Sequence, residues 1–119
     1  MTHIMENIIY NELMIRQFSV DVGVVYARTI NQNGNSVRTP REIDFVVIDG
    51  KKKCFIQVSY LMPNEETIKR EFDAFKPIKD ASPKYVLSLD KIDLSHDGIT
   101  HINIEDFLLH KKARFAAGL

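Results

Sequence analysis

Polar and apolar side chains alternate over residues 42–45 and 56–60, within two otherwise apolar segments, residues 42–48 and 54–60, on either side of the turn-forming pair Asp49-Gly50. Successive side chains of a β-strand point to opposite faces of the sheet, so this pattern predicts a β-hairpin. A turn over residues 49–52 would place Ile48 opposite Lys53, whereas a two-residue turn at Asp49-Gly50 would shift the pairs. Both registers keep the same side chains on each face.

The predicted hairpin carries polar side chains at one end of a sheet that is expected to be buried on both faces. Alternation puts Asp44 on one face of its strand and Ile43 and Phe45 on the other. In the longer-turn register Asp44 lies opposite Gln57, and Glu42 lies opposite Ser59. Buried polar groups cost free energy unless they find partners, so the four polar residues mark the candidate functional site.

The other patterned segments predict an α/β (α+β) fold. A helix over residues 2–16, with Thr2 as its N-cap, precedes strands over 18–30 and 37–48, and these strands join the hairpin in a three-stranded antiparallel meander. Asn64 is the predicted N-cap of a crossover helix in which Ile68, Phe72 and Phe75 face the sheet.

The C-terminal part is predicted to complete the sheet. Residues 84–89 form a buried strand that is parallel to a neighbour because a helix precedes it. The turn pair Asp97-Gly98 leads to a short strand over 99–103 and a closing helical turn over 105–109. We predict one domain over residues 1–110 and a flexible tail over 111–119.

The first helix is apolar around most of its circumference, which is unusual for a helix that packs on a single sheet. A helix that is apolar on several sides is expected to be covered on several sides, and a chain of 119 residues has little material left for this. A partner chain or a further domain is therefore expected to cover it, and a homodimer is one way to do so. Glu12 and Arg16, four residues apart, are expected to form an ordinary surface ion pair.

Composition indicates an ordinary globular protein that is not attracted to nucleic acid by its overall charge. The chain has 16 basic and 16 acidic residues, and 45% of its residues are hydrophobic. Nucleic-acid binders more often show a basic excess, so nucleic acid is not the favoured partner. No apolar run reaches the ~18 residues of a membrane helix. The single cysteine, Cys54, suggests a reducing compartment, and we expect a cytoplasmic protein.

The order of elements and the polar cluster together resemble the PD-(D/E)XK nuclease fold, whose members place an Asp on one strand and a Glu-x-Lys on the next. Asp44 matches the first position, and Gln57-Val58-Ser59 stands where Glu-x-Lys is expected. The resemblance implies a restriction-endonuclease-like mixed sheet with a degenerate site at Asp44, Gln57 and Ser59. It also implies that Glu6 of the first helix points toward this site, although a helix N-terminal charge explains Glu6 equally well.

Four blocks of sequence also resemble the C-terminal domain of a prokaryotic family of AAA-type ATPases. They are residues 3–13 (HIMENIIYNEL), 42–46 (EIDFV), 56–60 (IQVSY) and 83–90 (PKYVLSLD). In that family the nuclease-like domain follows an ATPase module and a winged-helix segment. The resemblance therefore implies an accessory domain that contacts an ATPase module, and the chain has no Gly-x-x-x-x-Gly-Lys-Ser/Thr loop with which to bind ATP itself.

Two hypotheses about function follow from these residues. A Mg²⁺ or Mn²⁺ site would draw carboxylate oxygens from Asp44 and Glu42, or from Glu6, with the Gln57 amide as a neutral ligand. The lysine that in the resembled nucleases would stabilise the negative charge developing during cleavage is replaced by Ser59, which offers only a hydroxyl group. We therefore expect a catalytically inactive domain, without a cofactor, that serves protein–protein or domain–domain contact. The alternative is a divalent-metal-dependent nuclease or nucleic-acid-binding domain.

Other catalytic arrangements are not indicated by the sequence. The four histidines are not spaced from one another or from Cys54 in the way that the ligands of a zinc site are. The scattered hydroxyls suggest no Ser-His-Asp or Cys-His arrangement.

Overall fold

The computed structural model describes residues 1–109, apart from the side chains at positions 24, 25, 27 and 41. The tail predicted over residues 111–119 lies outside the described residues. The elements, in chain order, are α1 (Thr2–Ile15), β1 (Ser19–Ile30), β2 (Ser36–Asp49), β3 (Lys52–Val58), α2 (Glu65–Asp73), β4 (Lys84–Ser88), β5 (Thr100–Asn103) and α3 (Ile104–Leu109). This is the predicted α/β (α+β) order of a helix, three strands, a crossover helix and further strands.

The five strands form one mixed sheet whose spatial order, β1-β2-β3-β4-β5, follows the chain. The pairs β1–β2 and β2–β3 are antiparallel, which confirms the predicted meander. The pairs β3–β4 and β4–β5 are parallel. Before each of the strands β4 and β5, a connection, first through α2 and then through residues 89–99, returns the chain to the end of the sheet at which the previous strand began.

Local signals account for most of the element boundaries. Ile48 pairs with Lys53, so the hairpin adopts the longer-turn register, and Gly50 supplies the positive φ of 63° at the tip. The Asn64 side chain accepts a hydrogen bond from the Thr67 backbone N–H at 2.9 Å, as predicted for an N-cap. The prediction of Thr2 as the N-cap was wrong, because Thr2 is the first residue of α1 itself and Met1 stands at the N-cap without a side-chain capping bond.

Helices cover both faces of the sheet and create two apolar clusters. On one face, Ile9 and Leu13 of α1 and Phe107 of α3 pack against strand residues such as Ile56. On the other face, residues of α2 and of the segment that follows it pack against residues such as Val86. This second cluster comprises Ile43, Phe55, Met62, Phe72, Phe75 and Val86, together with partly buried neighbours. Each strand of the sheet centre is therefore shielded on both sides, as its apolar sequence requires.

The pair formed by Glu12 and Arg16 is buried and is not the surface pair that helical spacing suggested. The Arg16 Nε atom lies 2.9 Å from Glu12 Oε2, and the two side chains are only 10% and 7% exposed. The Arg16 guanidinium also donates to the Phe107 carbonyl and lies 4.2 Å from the centre of the Phe107 ring. The pair is buried because α3 packs over the end of α1.

Among residues 1–109, no helix combines the length and the apolar character that crossing a membrane would require.

Candidate functional site

A β-bulge shapes the candidate site. Val22 of β1 faces Phe45, but the next residue, Gly23, faces Ile43, so Asp44 is the extra residue of β2 at that point. Gly23 adopts a φ of 120°, which a residue with a side chain rarely takes. The bulge turns Ile43 toward the α2 side of the sheet, where it packs in the second cluster, and this corrects the face predicted for Ile43 by simple alternation.

The β2–β3 ladder ends at the bulge, and two side chains continue it. The last paired residues of the ladder are Phe45 and Ile56. Beyond them, the Asp44 Oδ2 atom accepts a hydrogen bond from the Val58 backbone N–H at 2.8 Å, and the Gln57 Oε1 atom accepts one from the Asp44 backbone N–H at 3.0 Å. We call these two hydrogen bonds, one accepted by the Asp44 side chain and one by the Gln57 side chain, the Asp44–Gln57 clasp. It holds β2 to β3 where their backbones separate.

Beyond the clasp, β3 stays with β4 and leaves β2. The Ser59 backbone N–H donates to the Leu87 carbonyl, and the Leu89 N–H donates to the Tyr60 carbonyl, both at 2.9 Å. The expected pairing of Glu42 with Ser59 does not form, because the β2–β3 ladder has already ended. A gap therefore opens between the two strands next to Asp44.

A cleft of about 380 Å³ lies beside the clasp, on the α1 side of the sheet. Glu6 from α1 and both Glu42 and Asp44 from β2 line it, so the structure brings three of the predicted site residues to one place. Apolar atoms of Tyr10 and Phe45 complete much of the wall. No lysine or arginine with a described side chain lines this cleft.

Ser59 is separate from the other predicted site residues. Its side chain is 6% exposed, and its hydroxyl donates to the Leu61 carbonyl at 3.3 Å. The hydroxyl is therefore committed to the loop after β3 and does not line the acidic cleft.

Glu71 of α2 belongs to the site but was missed in the sequence. Its carboxylate lies close enough to Asp44 for its charge to raise the pKa of Asp44, and its own pKa responds to the nearby Gln57 side chain. A signal existed, because Glu71 lies three residues after Ile68 and four before Phe75, which places it beside the apolar face of α2.

Burial and repulsion by neighbouring carboxylates raise the pKa values of Asp44 and Glu71. Burial raises the pKa of Asp44 from 3.8 to about 6, opposed by the Val58 N–H bond and aided by the charges of Glu6, Glu71 and Glu42. Burial also raises the pKa of Glu71, while the positive charge of Arg70 opposes the change. Asp44 is therefore half-protonated near pH 6 in the folded protein.

The carboxylates of Glu6, Glu42 and Asp44 and the amide of Asn7 line the cleft, whereas Gln57 does not line it. Among residues 1–109, no three His, Cys, Asp or Glu side chains are arranged as a ready-made metal site. A divalent cation that entered would meet oxygen atoms of Glu6, Glu42 and Asp44, which is the ligand type that Mg²⁺ and Mn²⁺ prefer. For Asp44 to bind through both oxygens, the clasp would have to open.

A second polar cluster lies between the carboxyl end of β4 and the neighbouring strand β5. The Ser88 hydroxyl lies 2.8 Å from His101 Nε2 and 2.7 Å from Asp90 Oδ2. The structure thus brings Ser, His and Asp together, contrary to the expectation from sequence. This cluster was missed because Ser88 and His101 lie on different strands.

The direction of the hydrogen bonds shows that this cluster is structural. A carboxylate only accepts, so the Ser88 hydroxyl gives its proton to Asp90 and must accept from His101 Nε2. His101 Nδ1 in turn accepts from the Leu94 backbone N–H at 3.2 Å. A nucleophilic serine requires the opposite arrangement, in which the histidine takes the serine proton. The same Asp90 oxygen also accepts from the Met62 N–H at 2.8 Å, so the cluster joins two loops to the sheet.

Comparison with known proteins shows the fold but no family. No family model matches the chain, and no curated protein matches it. The crystal structure of protein VC1899 from Vibrio cholerae is similar, with a TM-score of 0.57 and 16% sequence identity, over 90% of this chain. The aligned part is only 31% of VC1899, so this chain spans about a third of that protein's length. At this identity the likeness concerns the fold alone.

Proposed function

We propose that this chain is a nuclease-like accessory domain that does not cleave nucleic acid and that works by binding another protein surface, with an ATPase module as its partner. The observation that carries the proposal is the Asp44–Gln57 clasp. The two side chains in the positions of metal ligands instead hold β2 to β3. The resemblance of four sequence blocks to the accessory domain of AAA-type ATPases supplies the choice of partner.

The electrostatics of the cleft support a non-catalytic role. Cleavage of a phosphodiester develops negative charge, which a nuclease stabilises with a cation or a lysine. The described residues that line the cleft include Glu6, Glu42 and Asp44 and no positive side chain. Ser59, which stands where the lysine is expected, is bonded to Leu61.

The outer side of α1 supports an interaction role. Ile4, Ile8 and Ile15 are spaced by four and seven residues, so they lie on one side of the helix, and they are 53%, 37% and 68% exposed. Ile9 and Leu13, on the opposite side, are fully buried. The helix thus has two apolar sides, of which the sheet covers one. Contact with a partner would remove the other from water.

Calorimetric titration with Mn²⁺ and a nuclease assay test the catalytic half of the proposal. We expect no binding heat, and equal background rates for wild type and Asp44→Ala on single-stranded and duplex DNA. Mn²⁺-dependent cleavage that Asp44→Ala abolishes would refute the proposal.

Sedimentation velocity tests the interaction half. We expect the chain to self-associate, or to bind a co-expressed ATPase module, and Ile4→Lys with Ile8→Lys to abolish this association. Ile92→Lys is the matched control, because Ile92 is 74% exposed and lies outside α1. A wild-type chain that stays monomeric and binds no ATPase module would contradict the proposed role of α1.

The second candidate function is a divalent-metal-dependent nuclease or nucleic-acid-binding domain. The convergence of Glu6, Glu42, Asp44 and Glu71 on one region favours it, because such oxygen atoms suit Mg²⁺ or Mn²⁺. Gln57→Glu combined with Ser59→Lys would restore the expected motif. If the nuclease resemblance is right, this double variant gains Mn²⁺ binding that the wild type lacks, and a folded double variant without binding would count against the resemblance.

A further inference from the structure

A groove separate from the acidic cleft lies on the α2 side of the sheet. It runs between the β1–β2 hairpin and the segment that joins α2 to β4, and its volume is about 430 Å³. Val46, Phe55 and Ile78 provide an apolar floor, and all three belong to the second apolar cluster. Grooves of about 300–1,000 Å³ with an apolar lining are typical of ligand sites, and this one is large enough to accept a few side chains of an extended peptide.

The rim of the groove is basic. Arg28, Lys53 and Lys79 line it, against one acidic residue, Asp80. Lys53 is paired with Asp80, whereas Arg28 and Lys79 are exposed and have no carboxylate partner within ion-pair distance among the described residues. Because the whole chain has a formal net charge of zero, this positive rim is a local feature and is opposite in sign to the acidic cleft.

Tyr26 stands at the hairpin side of the groove and is 61% exposed. The Arg38 guanidinium lies 4.8 Å from the centre of its ring, so one face of the ring is already covered by a cation. The pair adds a further positive charge next to the rim. At most one face of the ring is then left for a nucleic-acid base to stack on.

We propose that this groove binds an acidic peptide segment of a partner protein, with one apolar side chain against Val46, Phe55 and Ile78 and with flanking carboxylates against Arg28 and Lys79. The charge of the rim and the apolar floor both fit such a segment. A nucleic acid would satisfy the cations but would leave the apolar floor unused. This inference rests on the proposed interaction function, because it specifies the chemistry of one partner surface.

The test selects peptides without assuming a sequence. Random dodecapeptides displayed on phage are panned on the wild-type chain, and enriched sequences are synthesised with fluorescein and titrated by fluorescence anisotropy. Arg28→Glu combined with Lys79→Glu reverses the free rim charges, and Lys51→Glu combined with Lys91→Glu reverses two exposed charges outside the groove. Circular dichroism melts establish that each double variant is folded.

We expect the enriched peptides to carry Asp or Glu around a Leu, Ile or Phe. Their affinity should fall about tenfold or more in the Arg28/Lys79 variant and less than about twofold in the control variant. The inference is overturned if no acidic peptide is enriched, or if both double variants bind the peptides equally. It is also overturned if a fluorescein-labelled 20-nucleotide oligo(dT) binds better than any peptide and loses affinity in the Arg28/Lys79 variant.

The outcome is independent of the acidic cleft. A chain that cleaves DNA through Asp44 would refute the non-catalytic role and leave peptide binding at the groove intact. Loss of the groove inference would leave the results at Asp44 and at the outer side of α1 unchanged.

Discussion

Replacing Asp44 with asparagine should stabilise the protein at neutral pH and not at acidic pH. In the folded protein, burial raises the pKa of Asp44 to about 6, whereas the carboxyl of an unfolded chain titrates near 3.8. Ionised Asp44 therefore costs folding free energy above pH 6, and this cost disappears as the pH falls through 6 toward 3.8. The asparagine side chain would carry no charge and would keep an oxygen that accepts the Val58 N–H bond.

The magnitude follows from the difference between the two pKa values. About two pKa units correspond to about 3 kcal/mol, because one unit is about 1.36 kcal/mol. Asp44 lies at an open cleft and is partly exposed, so solvent screening reduces this figure, and we expect about 1–3 kcal/mol at pH 8. Below pH 4 the difference between wild type and Asp44→Asn should approach zero.

Urea denaturation followed by far-ultraviolet circular dichroism at pH values from 4 to 8 measures this difference, since the chain has no tryptophan to report unfolding by fluorescence. Asp21→Asn, at an exposed position on β1, controls for the loss of one negative charge. If Asp44→Asn were less stable than wild type at pH 8, the ionised carboxylate would be favourable there, and the argument from burial and repulsion would be refuted.

Three further predictions concern other parts of the fold. Arg16→Leu should destabilise the protein by about 3–5 kcal/mol in urea denaturation because Glu12 would remain buried without its partner, and a loss below about 1 kcal/mol would contradict a buried pair. Burial lowers the pKa of His101 below 6.5, so the wild type should lose stability relative to His101→Gln as the pH falls through 6.5. Thermal melts at several pH values measure this, and a difference in melting temperature that does not change with pH would contradict it. Asn64→Ala should cost about 1 kcal/mol of unfolding free energy through the lost N-cap bond, and an unchanged denaturation midpoint would argue against the cap.

Much of the fold could be predicted because its signals are local. Turn pairs such as Asp97-Gly98, the capping residue Asn64 and the alternation along β2 and β3 each depend on residues close together in the chain. The pairing of Ile48 with Lys53 follows from the length of one turn. It places Asp44 next to Gln57, as predicted for the register with a turn over residues 49–52.

The sequence by itself thus determined the order of the elements and the presence of the hairpin, whereas the structure decided between its two registers and brought Asp44 to Gln57. Only the tertiary structure decided what those residues do. The bulge opposite Gly23 depends on pairing with β1, and the approach of Glu71 depends on how α2 crosses the sheet. Likewise, Arg16 is buried because α3 packs on α1 from far along the chain. Contacts between distant segments leave no fixed spacing in the sequence, so burial, charge repulsion, the acidic cleft and the basic groove arise only when the layers pack together.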